Sequence, residues 1–416
     1  MANLQVNIGG LELKNPFVVA ASDIGCHIGQ IREAEHYGAA AFIIKGCIPL
    51  SGAAGLTRKP RFRVDLKKGT LSAIAGFRRL GLEDAQRLIL EAKKETRIPI
   101  GANIFVMRPT EEEKELVTKA SRILFESGAD FIELNTTGNL PVHFGETEET
   151  AKSGEYFLDE TAANYPRFVY ETIRSVKKVI DVPVMGKIAY ENLNVPSLVK
   201  AMERAGADII DIGNAGMGVM PSAINIYDTN KMGEEFVSAD KNLALCLTGD
   251  PLRIIAEGYV MRSARSLGTP ILGCGGIMNW KHAVEMIMCG ASATAICTAF
   301  MIHGFGILKD MQKGLKKFMD ESGYSSIEDF KGVFLDKFAL TPSEITVLDA
   351  VASIAAEKCN GCGLCTKPAH CGLERRAISL VGGKAIIDDE SQCLGCETCA
   401  SVCPVDAITM ILKKEK

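Results

Sequence analysis

From Phe17 to about residue 300 the chain alternates short, nearly continuous apolar runs with stretches whose apolar residues recur at helical spacing. The runs are Phe17 to Ala21, Ala40 to Lys45, Pro99 to Phe105, Phe131 to Thr137, Pro183 to Ala189, Asp208 to Ala215, Pro270 to Gly276 and Thr294 to Ala299. Strands covered on both faces lack the alternation of a half-solvated sheet, so these runs read as parallel strands joined by crossover helices. Four are entered through one dipeptide after a helical stretch: Gly38-Ala39, Gly128-Ala129, Gly206-Ala207 and Gly290-Ala291. Glycine just past a helix takes the left-handed conformation that ends the last turn, and alanine then enters the strand without crowding. An open doubly wound sheet shares this rhythm, but eight units with no reversal point predict an α/β fold of the (β/α)8, or TIM, barrel type.

The pattern then changes. Gly304 to about Ala339 reads as further helix, and Leu340-Thr-Pro-Ser-Glu344 as a capped restart after a break. Beyond Lys358 the sequence turns to Cys, Gly and short hydrophobic pairs. Two domains are expected: a barrel with a helical extension over 1–345, and a small ferredoxin-like α+β unit over 346–416. The second is too short for a sufficient apolar core, so inorganic cross-links would help it fold.

With 47% hydrophobic and 24% charged residues among 416, the composition excludes disordered, collagen-like and coiled-coil chains. A net charge of −4 without a basic run leaves no footprint for nucleic acid or an anionic membrane, so a small molecule or a protein is the expected partner. The opening Met1-Ala-Asn-Leu-Gln-Val-Asn lacks the features of a signal peptide, and no run of 18 apolar residues occurs. A soluble, cytoplasmic protein is expected. Thiols stay reduced there, so 14 cysteines point to metal rather than disulfides.

Cys393-x2-Cys396-x2-Cys399-x3-Cys403-Pro404 matches the bacterial ferredoxin run, in which three thiolates hold one 4Fe-4S cubane and the fourth serves another. Cys359-x2-Cys362-x2-Cys365-x5-Cys371 repeats the triplet with a longer last gap. Eight ligands imply two clusters. Cys403 should complete the set of Cys359, Cys362 and Cys365, and Cys371 that of Cys393, Cys396 and Cys399. Zinc is the alternative occupant, though triplets at three-residue steps suit a cubane better; His370 is an alternative to Cys371 as a ligand.

Cubanes carry single electrons, which calls for a barrel centre that converts them into two-electron chemistry; a flavin does this. No Gly-x-Gly-x-x-Gly follows a first strand, so a nicotinamide would bind a partner. Barrel active sites lie at the C-terminal ends of the strands, with phosphate commonly near the seventh and eighth. Gly275-Gly276 ends the seventh run, Cys297-Thr298 the eighth, and Gly249 precedes a helix, a set able to cradle phosphate or simply to turn the chain. Lys45 and Lys187 sit among apolar residues, where an ammonium would stabilise the anionic reduced ring; the alternative is a snorkelling, outward-facing side chain. Asn103, Asn135 and Asn214 end strands and are suited to a planar ring, or serve as turn residues.

Asn15-Pro-Phe-Val-Val-Ala-Ala21, Lys45, Glu133-Leu-Asn135, Lys187, Asn214, Thr248-Gly249, Leu272-Gly-Cys-Gly-Gly276 and the Cys-rich tail together resemble the dihydroorotate dehydrogenase superfamily, nearest to its bacterial dihydropyrimidine dehydrogenase branch. The resemblance implies FMN held by Ala20, Ala21, Lys45, Asn103, Asn135, Lys187, Gly249, Gly275, Gly276, Cys297 and Thr298, and an oligomer. It also implies an electron partner, either a separate FAD- and NAD(P)H-binding iron-sulfur subunit or a ferredoxin. Two segments depart from the family. Asn135-Thr-Thr-Gly-Asn139-Leu-Pro replaces Leu-Ser-Cys-Pro after the fourth strand, and Ala73-Ile-Ala-Gly-Phe stands where an orotate-binding Asn-Ser-Met-Gly would be. The acid/base candidates are therefore His143, whose alternative is a solvated loop residue, and Cys26 and Cys47 near the ends of the first two strands.

These features lead to an oxidoreductase acting on CH–CH bonds, which transfers hydride between FMN and a pyrimidine-like substrate oriented by Asn139 and Asn214. The rival readings are a reductase of an enoate or another heterocycle, a flavin-free lyase with a Schiff base on Lys187, and an electron-relay subunit.

Overall fold

A computed structural model describes residues 2–49, 62–73, 79–106, 109–136, 160–189, 195–213, 216–217, 246–339, 341–371 and 377–413. Each apolar run forms a strand: β1 (Phe17–Val19), β2 (Ala41–Ile43), β3 (Ile100–Phe105), β4 (Phe131–Asn135), β5 (Val184–Ile188), β6 (Ile209–Ile212), β7 (Ile271–Cys274) and β8 (Ala293–Ile296). All pair in parallel with their sequence neighbours, and β8 pairs with β1 to close a barrel. A helix follows each strand: α1 (Ile28–His36), α2 (Leu82–Glu95), α3 (Glu111–Glu126), α4 (Glu160–Lys177), α5 (Val195–Ala205), α6 (Arg253–Ala264), α7 (Trp280–Met288) and α8 (Thr298–His303), with α9 (Ile307–Ser322) beyond. The (β/α)8 barrel read from the sequence is the fold.

The repeated Gly-Ala step has the expected geometry. Gly38, Gly128, Gly206 and Gly290 lie at φ of 98°, 101°, 89° and 111°, where a side chain would be strained. The next alanine donates its N–H back to the helix, at 2.9 Å to Ala34, 3.1 Å to Leu124, 3.0 Å to Met202 and 3.2 Å to Met286 carbonyls. One turn thus aims α1, α3, α5 and α7 into the following strands.

Glycines also reveal which way the strands face. A methyl at Gly186 would strike Met202 of α5, and one at Gly273 would strike Met286 of α7. Because strand side chains alternate, Lys187 and Cys274 point into the barrel. The outer face and the helices pack in one apolar cluster containing Phe17, Ile31, Phe42, Leu124 and Ile132, all fully buried, while Phe131 turns inward beside Gly101. Each such side chain stabilises the fold by roughly 1.5–3 kcal/mol.

Two elements were not apparent from the pattern. An N-terminal hairpin, Val6–Ile8 with Leu11–Leu13, packs its turn against Asp208, Ile209 and Pro183, at the N-terminal ends of β5 and β6. It closes the barrel's floor there with buried Val6, Ile8, Leu11 and Leu13. At the opposite end, segments after β2 and β6 form an antiparallel sheet in the order Gly216–Met217, Cys246–Gly249, Thr70–Ala73 and Phe62–Asp65.

The chain divides into compact units of Met1–Phe338 and Ala339–Lys416. In the second, Ala350–Ile354 pairs antiparallel with Ile408–Leu412, and Ile378–Val381 forms a hairpin with Lys384–Ile387. Its core is small: Ala352, Ala377, Ile378, Ala385 and Ile408 share it with Cys365, Cys371 and Cys399. No helix among the described residues is long and apolar enough to cross a membrane.

Candidate functional site

The strand register brings polar side chains together at the C-terminal ends of β3 to β6. Phe105 lies opposite Asn135, Asn135 opposite Lys187, and Lys187 opposite Asp211. Lys187 is buried and hydrogen-bonds Asp211, with Glu133 Oε1 at 3.6 Å; both carboxyl side chains are fully buried. Asn103 donates its amide to Glu133 and accepts one from Asn135 at 3.3 Å. Gly46 leaves room for this, since a methyl there would strike the Asn103 carboxamide and the Phe105 ring. Thr136 Oγ1 bonds the Lys187 carbonyl at 2.6 Å and Tyr165 bonds the Thr136 carbonyl at 3.0 Å, which fixes the ends of β4 and β5.

Burial alone would drive Lys187 towards its neutral form, but Asp211 and then Glu133 outweigh it and hold the ammonium's pKa above the ordinary lysine value. Burial also raises the Asp211 carboxyl well above its usual range; Lys187 opposes this and Glu133 adds to it.

On the β1–β2 side, Lys45 reaches Asp23 at 2.9 Å, each side chain about a tenth exposed. Ala20 is buried and donates to the Ile296 carbonyl at 2.9 Å, and Ala21 follows it, half-buried. Cys297 lies just past β8, with its thiol raised by burial and Lys45 and Lys187 among its electrostatic neighbours. Thr298 opens α8 rather than ending β8, because the strand's last paired residue is Ile296.

Gly249, Gly275 and Gly276 have φ of 103°, 124° and 71°. A methyl at Gly276 would overlap the backbone N and Cα of Arg253, the first residue of α6, so only glycine permits this approach. Two backbones and a helix N-terminus thereby converge, as a phosphate cradle requires. The Arg253 guanidinium is already engaged by Glu285 at 2.5 Å and by Asp250 and Glu257 at 3.3 Å each, which leaves amides as the available donors.

Two of the three acid/base candidates lie among the described residues. Cys47 is fully buried with its thiol pushed up to about 12 by burial, far from the range of neutral proton exchange. Cys26 is buried and donates its backbone N–H to Gln30 Oε1 at 3.2 Å. His143, Asn139 and Asn214 lie outside the described residues.

In the second unit the cysteines of the two motifs lie close enough to influence one another's thiols. Cys365 has Cys359, Cys362 and Cys403 as electrostatic neighbours, and Cys399 has Cys393, Cys396 and Cys371. Backbone N–H groups already point at sulfur, from Ala385 to Cys359 at 3.4 Å and from Ala407 to Cys403 at 3.2 Å. His370 bonds the Leu364 carbonyl at 2.7 Å instead of joining a quartet. N–H donors to cysteine sulfur suit thiolates that would hold a 4Fe-4S cluster.

Three residues of the barrel site were missed in the sequence: Asp211, Asp23 and Arg79. Arg79 is buried with its guanidinium 4.7 Å above the Phe105 ring. Asp211 was visible, since a lone carboxylate within Ile209-Ile-Asp-Ile212 is as anomalous as Lys187 in its own run.

A family model for dihydroorotate dehydrogenase matches residues 3–319, and one for a 4Fe-4S binding domain matches residues 386–409. Among similar proteins, the catalytic subunit of dihydroorotate dehydrogenase B (NAD(+)) of Pyrococcus abyssi is 30% identical, over 80% of this chain and 99% of its own. The subunit of the same name from Thermoplasma volcanium is 29% identical, over 81% and 100%. The NAD-dependent dihydropyrimidine dehydrogenase subunit PreA of Escherichia coli K12 is 24% identical, over 87% and 84%.

Proposed function

The chain belongs to the dihydroorotate dehydrogenase family, and on that premise we propose that it is a flavin- and iron-sulfur-dependent oxidoreductase acting on the CH–CH bond of a dihydropyrimidine. Uracil or thymine and its dihydro form are the substrate pair. Two 4Fe-4S clusters, on Cys359, Cys362, Cys365 and Cys403 and on Cys393, Cys396, Cys399 and Cys371, pass electrons to or from a partner flavoprotein that handles NAD(P)H. The observation that carries this reading is the buried row of Asn135, Asn103, Glu133, Lys187 and Asp211 at the strand ends.

FMN fits these residues. Lys187 and Lys45 would hold positive charge against its ring, Asn103 and Asn135 would bond its edge, and the Gly249, Gly275 and Gly276 turns would take its phosphate. When bound, it would exchange two electrons with the substrate and single electrons with the clusters. The longer match to the E. coli subunit, 87% of the chain against 80%, supports the dihydropyrimidine dehydrogenase branch. A Schiff-base lyase would need a neutral Lys187, whereas the Asp211 and Glu133 carboxyl groups keep the proton on it.

The test is anaerobic titration of the reconstituted protein with dihydrouracil, dihydrothymine and dihydroorotate, followed by flavin and cluster absorbance. Bleaching by dihydrouracil or dihydrothymine is expected. Bleaching by dihydroorotate alone overturns the substrate class, and failure to retain flavin overturns the enzyme class.

A further inference from the structure

The barrel centre holds two carboxyl groups for one ammonium. Asp211, Glu133 and Lys187 are inward-facing and almost wholly removed from water. Lys187 Nζ takes one oxygen of Asp211, and the Asn103 amide takes one oxygen of Glu133. Among the described residues, the remaining oxygens, Asp211 Oδ1 and Glu133 Oε1, have no hydrogen-bond partner. Yet both carboxyl groups lie within ion-pair distance of the same Lys187 ammonium. Two ionised carboxylates have nothing to donate and repel at such range, and a buried acceptor left unsatisfied costs about 1–3 kcal/mol. A single proton removes both problems.

We propose that Asp211 and Glu133 share one proton beside Lys187, so that the triad is neutral and Asp211 acts as the positioning residue that fixes the lysine and its charge. The charge count is one ammonium against one shared negative charge. Among the described residues, the other groups facing the triad do not alter it. Cys274 of β7 is a fully buried thiol pushed up by that burial, and Cys297 is likewise raised. Lys45 is matched by Asp23, and Asn103 and Asn135 are uncharged.

This deepens the flavin reading and rests on it for one consequence. Were a flavin ring held by Lys187, the negative charge gained on its reduction would favour uptake of a second proton from solvent by the carboxyl pair. The flavin's midpoint potential then falls more steeply with pH than it would beside a fixed charge.

Infrared spectroscopy in light and heavy water tests the shared proton without any flavin. Wild-type protein at neutral pH is expected to show a carboxylic-acid carbonyl band that shifts on deuteration. Both Asp211→Asn and Glu133→Gln are expected to abolish it, because each leaves one carboxylate that Lys187 holds ionised. Using two variants keeps the test open if one fails to fold. A band that survives Glu133→Gln, or is absent from wild type, overturns the proposal. In flavin-loaded protein, redox titration across pH should give a shallower slope for Asp211→Asn than for wild type; equal slopes overturn the coupling. Loss of flavin from wild-type protein would sink the flavin reading alone, since the infrared result stands without it.

Discussion

The barrel and the C-terminal unit solve the same problem with different materials. In the barrel, apolar side chains close a continuous core, and the charges it buries are matched to one another: Lys187 with Asp211, Lys45 with Asp23. In the tail, five small or branched apolar residues share a core with three buried cysteines. The barrel completes itself, whereas the tail is built around ligands supplied from outside the polypeptide. One region should therefore tolerate loss of its cofactor and the other should not.

The sharpest way to break that contrast is Cys403→Ser. Removing the ligand shared with the Cys359 triplet is expected to lose about half of the bound iron, abolish electron transfer to an external acceptor and open the tail to proteolysis. Circular dichroism should show the barrel's helices intact; a barrel that melts with the tail would end the comparison.

Phe131→Ala tests the opposite side. Emptying this fully buried site should cost roughly 3–5 kcal/mol in denaturant stability while iron content per folded molecule stays constant. Gly276→Ala is expected to act more narrowly. Strain of roughly 1–3 kcal/mol at a left-handed position pressed against Arg253 should weaken flavin retention about tenfold, measured by fluorescence of released flavin. Iron content should not change.

The smallest effect belongs to Asp329, exposed in the barrel unit and held at about 2 by side-chain and backbone donors of Ser325 and Ser326. Its folded pKa is depressed, so its contribution is present above the unfolded value of about 4 and is lost as pH falls towards 2. Asp329→Asn should lower the melting temperature slightly at pH 7 and not at all at pH 2, with no effect on the tail's iron.

The same contrast decides what could be read from sequence. The eight strands were legible because each is a local apolar run, and the 4Fe-4S motif because ferredoxin spacing is local too. The cap sheet was not, since it pairs Leu71 with Thr248 across a long stretch of chain. The floor hairpin escaped because three-residue strands carry too little periodicity. Lys187 was legible as a charge out of place, but its partners were not. Glu133 was noticed only as part of a motif, and Asp211 was absorbed into its apolar run, although both obey the rule that singled out the lysine. Of the acid/base candidates, Cys47 is buried too deeply to exchange a proton near neutrality, and His143 lies outside the described residues.

The hairpin that packs Gly9 against Asp208 joins the start of the chain to its middle. A contact so distant in sequence repays its loop-closure entropy only once β5 and β6 are in place, so the hairpin should dock late in folding, and weakening it should speed unfolding more than it slows folding.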